Sequence, residues 1–383
     1  MTHILLLSFL LTLARIDAKT KLVIEFIRHG ARSPIVKLDF FKNLTWENPG
    51  ELTEVGERQH YLLGRLRRQQ YIETEQFLPE EFNSSLFYLY STNFNRTQMS
   101  LQSYLLGLYP YGIPDLNNNQ IEKGIDYLIP RIELKMNQSV IKDLKNHSMP
   151  FNIPVHFFET SEVKNEGLLL YESCEYADDA IKRLYFGNNK YLETYEKYKE
   201  MWDTLTRSYP EITEEFLKKG RNAVDVCDLI LCADSENRRP YLISNKLIDQ
   251  MNEFIGDVMI EELTITPISL NISLHKATKE VVKWMDEAVN SDSGVKYAVY
   301  STHDTSLIFL MLGLNKLNNK IEIKRRPPLA GNMNFVLNDK EEVVISYCGK
   351  EIHREMYKTF REKFLSIGDI GGTTRESICN TRA

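Results

Sequence analysis

The stretch that decides the fold runs Leu22-Val23-Ile24-Glu25-Phe26-Ile27 and then Arg28-His29-Gly30-Ala31-Arg32-Ser33-Pro34. Its first six residues form an apolar run with the length and composition typical of a buried strand. Gly30 and Pro34 then break that strand into a turn. In an open α/β sheet, the ligand site lies in the loops that follow the carboxyl ends of such strands.

The turn after this strand places a histidine between two arginines. Arg28 and Arg32 can each offer a planar fork of hydrogen bonds to a phosphate oxyanion. A neutral imidazole at His29 is suited to attack phosphorus, because histidine is one of the side chains that form covalent intermediates. Arg-His-Gly alone could be a solvated basic turn, but the longer Arg-His-Gly-x-Arg-x-Pro pattern favours a phosphate site.

Two later segments repeat the order of strand, charged turn and helix. The aromatic-rich run 86–90 precedes Arg96, and the similar run 297–300 precedes His303 and Asp304. An apolar helical pattern begins just past each turn. Because the ends of parallel strands share one edge of a sheet, we expect six side chains to converge there. They are Arg28, His29, Arg32, Arg96, His303 and Asp304.

These motifs resemble those of the histidine acid phosphatases, a branch of the phosphoglycerate-mutase-like superfamily, and most of all its prostatic and lysosomal acid phosphatases. Residues 52–64 look like the helix after the family's first loop. Residues 91–97 look like its second phosphate-binding segment, and residues 301–305 look like its His-Asp element. The resemblance runs along the chain in the family's order and is thin between about residues 175 and 264.

The resemblance implies an α/β fold with an open, mostly parallel sheet flanked by helices and a smaller, mostly helical cap inserted. We predict a catalytic domain of residues 19–174 and 265–383, with the cap at 175–264. The implied enzyme hydrolyses phosphate monoesters and needs no cofactor or metal. The implied catalytic residues are His29 as nucleophile and Asp304 as proton donor, and the phosphate-binding residues are Arg28, Arg32, Arg96 and His303.

Three alternatives stay open. Asp304 could instead be a helix N-cap, since it precedes Thr305, Ser306 and an apolar helix, and both roles can coexist. The enzyme could be a phytase-like phosphatase. The chain could also be a secreted binding protein on an inactive phosphatase scaffold, which predicts the loss of a core site residue; none is lost.

Composition and the first residues set the outer limits. A chain of 383 residues that is 43% hydrophobic can bury a large core, and its net charge of −6 argues against nucleic acid as a partner. We predict a cleaved secretory signal at residues 1–18, with an uncleaved anchor as the alternative. No later stretch resembles a membrane span. The expected partner is a small phosphomonoester in the extracellular space or lysosome, and a homodimer stays open.

Secretion makes disulfides and glycans plausible for the five cysteines and six Asn-x-Ser/Thr sequons. The resemblance pairs Cys174 with Cys379. Cys227 and Cys232 are close enough for a local loop disulfide, and Cys348 is predicted to be a buried free thiol in a strand. A glycan on Asn95 would crowd Arg96, so we expect that sequon to be empty. Glycans are predicted at Asn43, Asn83, Asn137, Asn146 and Asn271.

The middle of the chain shows apolar stripes at helical spacing over residues 191–205 and 247–258, which favour helix-packing faces. The polar stretch 209–240 between them is predicted to be a loop. Its acids, Asp225, Asp228 and Asp234, are therefore predicted to be solvated. His60 is expected on either the solvated or the sheet-facing flank of its helix.

Overall fold

The structure is a computed structural model that describes residues 18–41, 44–110, 174–291, 294–318, 321 and 323–383. It is built around one six-stranded sheet in the spatial order β2-β3-β1-β4-β5-β6. The strands are β1 Thr20–Arg28, β2 Phe87–Ser91, β3 Tyr297–Thr302, β4 Asn332–Asn338, β5 Glu342–Tyr347 and β6 Lys350–Met356. The three segments predicted to be strands before charged turns are therefore β1, β2 and β3.

Strands β2, β3 and β1 are parallel and form the core of the sheet. Tyr300 of β3 lies between Tyr90 of β2 and Phe26 of β1, so the carboxyl ends of these strands reach the same edge. Strands β4 to β6 continue the sheet beyond β1 as an antiparallel meander. The predicted α/β class with flanking helices is confirmed. The sheet, predicted to be mostly parallel, is mixed: the pairings β2-β3 and β3-β1 in its core are parallel, and the three pairings beyond β1 are antiparallel.

Helices cover both faces of the parallel core. One face carries Val23, Ile27 and Val299, which pack against the first two helices, Glu54–Arg67 (α1) and Asn95–Leu108 (α2). The opposite face carries Phe26 and Tyr300, whose rings stack at 4.8 Å, and its apolar cluster extends into the later helices. In chain order these helices are α1 Glu54–Arg67, α2 Asn95–Leu108, α3 Glu175–Ala180, α4 Lys190–Lys197, α5 Lys199–Ser208, α6 Glu214–Leu217, α7 Asn222–Ser235, α8 Asn245–Leu263, α9 Ser269–Asn290, α10 Asp304–Asn318, α11 Tyr357–Ile367 and α12 Arg375–Cys379. Short π-helical turns follow α1 (Arg68–Thr74) and α3 (Ile181–Phe186), and a 3₁₀ turn, Ser84–Leu86, precedes β2.

The chain from α3 to α8 is helical, and the predicted loop at 209–240 is wrong. Helices α6 and α7 lie inside it. Helix α7 is buried on almost every side, so its apolar residues do not form the single stripe by which a surface helix is recognised. The apolar cluster runs without a break from the sheet into these helices. The division into a catalytic domain and a cap at 175–264 stays a prediction.

The cysteines give one confirmation and two corrections. Cys174 and Cys379 form a disulfide that joins the start of α3 to the end of α12, 205 residues apart. The predicted Cys227–Cys232 disulfide is wrong, because both thiols are free on α7, five residues apart and so on different sides of the helix. Cys348 is free as predicted, but it is exposed in the turn between β5 and β6.

The sequons differ in their surroundings. Asn83 is exposed just before β2, whereas Nδ2 of Asn271 on α9 donates to the carbonyl of Asp369 at 2.7 Å. The nitrogen that would carry a glycan on Asn271 is therefore already hydrogen-bonded. Asn43, Asn137 and Asn146 lie outside the described residues, as does nearly all of the predicted signal at 1–18. In the described parts of the chain, no helix has both the length and the apolar character needed to cross a bilayer.

Candidate active site

The six side chains predicted to converge do meet at the carboxyl edge of the parallel strands. The rings of His29 and His303 lie 5.7 Å apart, nearly perpendicular to each other. Arg96, on the first turn of α2, places Nη2 3.5 Å from Nδ1 of His303. Arg28 lies 3.0 Å from the carboxylate of Asp304. One compact, mostly buried site therefore draws on the ends of β1, β2 and β3.

The loop after β1 is held against α1 and α2 by close backbone packing. A Cβ atom on Gly30 would overlap the backbone of Gly56, and one on Gly56 would overlap the carbonyl of Ala31. The amide of Gly30 donates to Oγ of Ser100 on α2 at 3.1 Å, and the amide of Ala31 donates to Gln59 on α1 at 2.9 Å. These contacts fix the loop and therefore the histidine it carries.

His29 is held in the form that a nucleophile needs. Its Nδ1 lies 2.8 Å from the carbonyl oxygen of Gly30, which can only accept, so Nδ1 carries the proton and Nε2 keeps its lone pair. Burial and the charges of Arg28, Arg32 and Arg96 hold the pKa of His29 well below its ordinary value. The imidazole is therefore neutral, as the sequence predicts.

His303 is linked to both neighbouring segments. Its Nε2 lies 2.9 Å from Oγ1 of Thr92, at the end of β2. Burial and then the charge of Arg96 lower the pKa of His303 to about 3, although Asp304 opposes the shift. Because a guanidinium can only donate, Nδ1 of His303 accepts from Arg96, and Nε2 carries the ring proton and donates to Thr92.

Two of the arginines keep donors that no group in the described residues accepts from. Arg28 donates through Nη1 to the carbonyl of Pro327, and Arg32 donates through Nη1 to the carbonyl of Ser33 at 2.9 Å. Within the described parts of the chain, Nε of Arg28 and Nε of Arg32 have no hydrogen-bond partner although both are buried. Buried donors of this kind normally find an acceptor, so these guanidiniums are suited to bind an oxyanion.

Asp304 is the first residue of α10 and lies 6% exposed in the site. Burial alone would raise the pKa of its carboxyl, but Arg326 and Arg28 outweigh that effect and hold the pKa well below its usual value. Oδ1 also accepts from the amide of Thr305 at 3.0 Å. The carboxylate therefore contacts the start of the helix and points its other oxygen into the site.

Comparisons with known proteins agree with this geometry. A sequence profile of the histidine phosphatase superfamily (branch 2) matches residues 19–337. The chain belongs to this family. It is 26% identical over 377 residues to prostatic acid phosphatase from Bos taurus, an alignment that covers 92% of this chain and 83% of the relative. It is 36% identical over 304 residues to lysosomal acid phosphatase from Xenopus laevis, covering 76% of this chain and 61% of that protein.

Solved structures show the same fold at low identity. The Klebsiella sp ASR1 phytase superposes with a TM-score of 0.59 at 10% identity, covering 92% of this chain and 97% of the phytase. A multiple inositol polyphosphate phosphatase from Bifidobacterium longum gives 0.56 at 12% identity, covering 92% and 94% of the two chains. This histidine phosphatase therefore belongs to a family of phosphoric monoester hydrolases, and it shares its fold with phytases.

The phosphatase site also contains two charged residues that the sequence analysis missed. Asp228 on α7 was predicted to be solvated, but it is buried and bonds both terminal nitrogens of Arg32, at 2.8 and 3.0 Å. Arg326 bridges Asp228 and Asp304, at 2.9 and 2.6 Å. Asp228 lies inside the apolar run 224–233, and this position indicates that the acid is buried. A buried charge needs a partner, so the run could have marked Asp228 as part of a charge pair. The sequence around Arg326 gave no such signal.

His60 is fully buried and faces the sheet, the second of its two expected positions. Its Nε2 lies 3.0 Å from the carbonyl of Arg28, and burial lowers its pKa to about 4. It therefore supports the backbone at the start of the loop that carries His29.

Proposed function

We propose that this histidine phosphatase is an acid phosphatase that hydrolyses phosphate monoesters through a phosphohistidine on His29. The observation that carries the proposal is the state of that ring. Nδ1 is bound to the carbonyl of Gly30, and Nε2, which has no hydrogen-bond partner among the described residues, lies near the charges of Arg28, Arg32 and Arg96. His29 is therefore a neutral imidazole with a free lone pair on Nε2, surrounded by the positive charges that would bind the phosphate it attacks.

In the first step, Nε2 of His29 attacks phosphorus in line with the ester oxygen. The P–N bond forms as the P–O bond to the leaving group breaks, and the leaving oxygen takes a proton from Asp304. Arg28, Arg32 and Arg96 donate to the three other phosphate oxygens, and His303 holds the guanidinium of Arg96 beside them by accepting from it at Nδ1. One well-placed donor of this kind is worth on the order of 3 kcal/mol of transition-state stabilisation.

In the second step, a water attacks the phosphohistidine and Asp304, now a carboxylate, takes the proton of that water. The P–N bond breaks and its electron pair returns to Nε2, so the imidazole is neutral again. Inorganic phosphate leaves, and Asp304 holds the proton for the next cycle. One carboxyl group thus acts first as an acid and then as a base.

The charge of the site suits a dianionic phosphate. Arg28, Arg32, Arg96 and Arg326 face the two carboxylates of Asp228 and Asp304, while both histidines are neutral. Four guanidiniums and two carboxylates leave two positive charges in excess. A phosphomonoester dianion would neutralise them, and the low exposure of these groups strengthens that attraction.

We further propose that the enzyme works in the secretory pathway, in the extracellular space or the lysosome. The predicted signal at residues 1–18 supports this, and so does the Cys174–Cys379 disulfide, because disulfides persist in oxidising compartments. An acidic compartment also favours the protonated form of Asp304 that the first step requires.

Rapid-quench labelling tests the mechanism. Enzyme mixed with ³²P-labelled ester and quenched in base should carry label on His29, as a base-stable and acid-labile adduct. The His29→Ala variant should trap no label and should lose turnover by on the order of 10⁴-fold or more. Its melting temperature should stay close to that of the unmodified protein, because His29 lies on a loop.

Two results would count against this proposal. Label on a serine, or strong residual turnover in His29→Ala, would contradict the phosphohistidine. Phosphate binding with no turnover of any ester would instead support a binding protein on an inactive scaffold.

A phytase-like activity is the second candidate, favoured by the fold shared with phytases. Phytate needs many cationic groups outside the central site, because its other phosphates repel one another unless they are paired. The site here adds Asp228 near the arginines instead. We expect kcat/KM for small phosphomonoesters to exceed that for phytate at acidic pH, and a preference for phytate in a competition assay would reverse this choice.

A further inference from the structure

We propose that Arg326, anchored by Asp228 of the helical region, is a positioning residue that sets when Asp304 holds its proton. This inference rests on the proposed function, which assigns Asp304 as proton donor and then as base. In the described part of the chain, neither Arg326 nor Asp228 forms a hydrogen bond or an ion pair with the proposed nucleophile, His29. Their effect would therefore reach the reaction through Asp304 and Arg32.

The contacts form one continuous chain of buried charges. Nε of Arg326 donates to Oδ2 of Asp304 at 2.6 Å, and Nη1 donates to Oδ1 of Asp228 at 2.9 Å. The side chains of Arg326 and Asp304 are each 8% exposed, so solvent screens their attraction weakly. Asp228 in turn holds Arg32 through two hydrogen bonds. The helical region and the nucleophile loop are thereby linked through charged groups.

The backbone that carries Arg326 is fixed against α8. The amide of Arg326 donates to the carbonyl of Asn252 at 3.0 Å. A Cβ atom on Gly256 would lie only 2.9–3.2 Å from the backbone of Arg325 and Arg326, so the glycine lets the segment approach the helix closely. The next residue, Pro327, accepts a hydrogen bond from Arg28. The backbone of Arg326 is therefore fixed on one side by α8 and on the other by the hydrogen bond between Pro327 and Arg28.

Few charged groups face Asp304, and only some of them keep their contact with it once substrate binds. Arg28 on β1 and Arg326 contact its carboxylate directly, and the neutral His29 and His303 lie nearby. Asp228 lies behind Arg326 and partly offsets its charge. Arg28 is also a proposed phosphate ligand. Once substrate engages Arg28, Arg326 is the cation that stays with Asp304.

This arrangement gives Arg326 opposite effects on the two steps. A cation beside Asp304 favours the carboxylate, which the second step needs as a base, and opposes the acid, which the first step needs. With an alkyl ester, whose leaving group requires a proton, kcat should fall as pH rises through the pKa of Asp304 in the substrate complex, which the negative charge of the bound phosphate raises. Removing Arg326 raises that pKa, so the fall should move to higher pH.

The test compares Arg326→Gln with Arg325→Gln. Arg325 is the matched control, because it is the adjacent arginine but lies half-exposed and pairs with Asp249 and Glu253 on the surface of α8. kcat is measured from pH 4 to 8 for an alkyl ester (β-glycerophosphate) and an aryl ester (p-nitrophenyl phosphate). In Arg326→Gln, the alkaline fall for the alkyl ester should shift upward by about one pH unit or more. It should not move in Arg325→Gln, nor for the aryl ester.

Arg326→Lys keeps the inference testable if Arg326→Gln folds poorly. Lysine restores the charge but not the two-pronged contact, so the alkaline fall should return towards its original pH even if kcat is lower. A profile that is only scaled down, with its alkaline fall unmoved in Arg326→Gln, would overturn the inference. Failure of the unmodified enzyme to hydrolyse either ester would instead overturn the proposed function.

Discussion

Strand β1 carries two buried charge networks only three residues apart, one around Glu25 and the other around Arg28. Glu25 is fully buried and is bonded by Arg67 at 2.9 Å, by Tyr104 at 2.8 Å and by Asn332 at 2.8 Å, with Tyr297 also donating to it. Around Arg28, guanidiniums outnumber carboxylates, and two Nε donors stay unused within the described chain. Both networks are buried, but only the network around Arg28 has an excess of positive charge.

The difference separates a structural use of buried charge from a chemical one. Glu25 has one cationic partner and several neutral donors, so its charge is balanced within the fold. Burial alone would raise the pKa of Glu25, but Arg67 and the hydrogen bonds together outweigh that effect and lower the pKa. The carboxylate therefore stays ionised. The network at the strand end is balanced only when an anion of two charges enters. We expect mutations in the first network to affect stability and mutations in the second to affect turnover.

Among the variants that compare the two networks, the largest expected effect is the loss of turnover in Asp304→Asn. Asparagine keeps an acceptor for the amide of Thr305 but cannot give a carboxylic proton. kcat for β-glycerophosphate should fall by about 10²–10⁴-fold, the usual contribution of general acid–base catalysis. kcat for p-nitrophenyl phosphate should fall much less, because its leaving group needs no proton.

Asp286→Asn is the matched control for that experiment. Asp286 also pairs with an arginine, Arg361, at 2.8 Å, but on α9 and α11, away from the site. Its kcat for both esters should be unchanged. An equal loss of kcat for both esters in Asp304→Asn, together with a lower melting temperature, would show that Asp304 only supports the start of α10.

The next effect is on stability, in Glu25→Gln. The amide keeps the size of the carboxylate but leaves the guanidinium of Arg67 buried without its counter-charge. Removing one partner of a buried pair costs about 3–5 kcal/mol, so the free energy of unfolding from urea titration should fall by that amount. kcat and KM measured well below the melting temperature should change little.

Glu200→Gln supplies the comparison for Glu25→Gln. Glu200 pairs with Lys246 at 2.8 Å, but both side chains are largely exposed, and such pairs contribute about 0–1 kcal/mol. If Glu25→Gln destabilises no more than Glu200→Gln, or if it abolishes turnover while the fold survives, the proposed separation of the two networks is wrong.

The same contrast explains what the sequence could and could not predict. The six convergent site residues follow from local patterns, since each lies just past an apolar strand and parallel strands end at one edge. Arg67 and Arg326 follow from none, because their partners are distant in sequence. The apolar run around Asp228 indicates that the acid is buried, but it does not identify Arg32, which lies 196 residues away. The loop assignment of 209–240 failed for a related reason. Helix α7 is apolar on nearly every side, and a helix without a polar face gives no amphipathic pattern.

The smallest expected effect is the absence of a titration, and it tests the charge excess directly. Burial and three guanidiniums hold the pKa of His29 well below 6.5, so its ring should stay neutral as pH falls from 7 to 5. In a ¹⁵N-labelled, phosphate-free enzyme, the imidazole signals of His29, assigned by their loss in His29→Ala, should show no midpoint in that range. A histidine peptide measured alongside should titrate near its ordinary pKa of about 6.5. A midpoint near 6.5 for His29 would mean that Asp228 and Asp304 cancel the guanidiniums. The site would then lack the excess positive charge that distinguishes it from the network around Glu25.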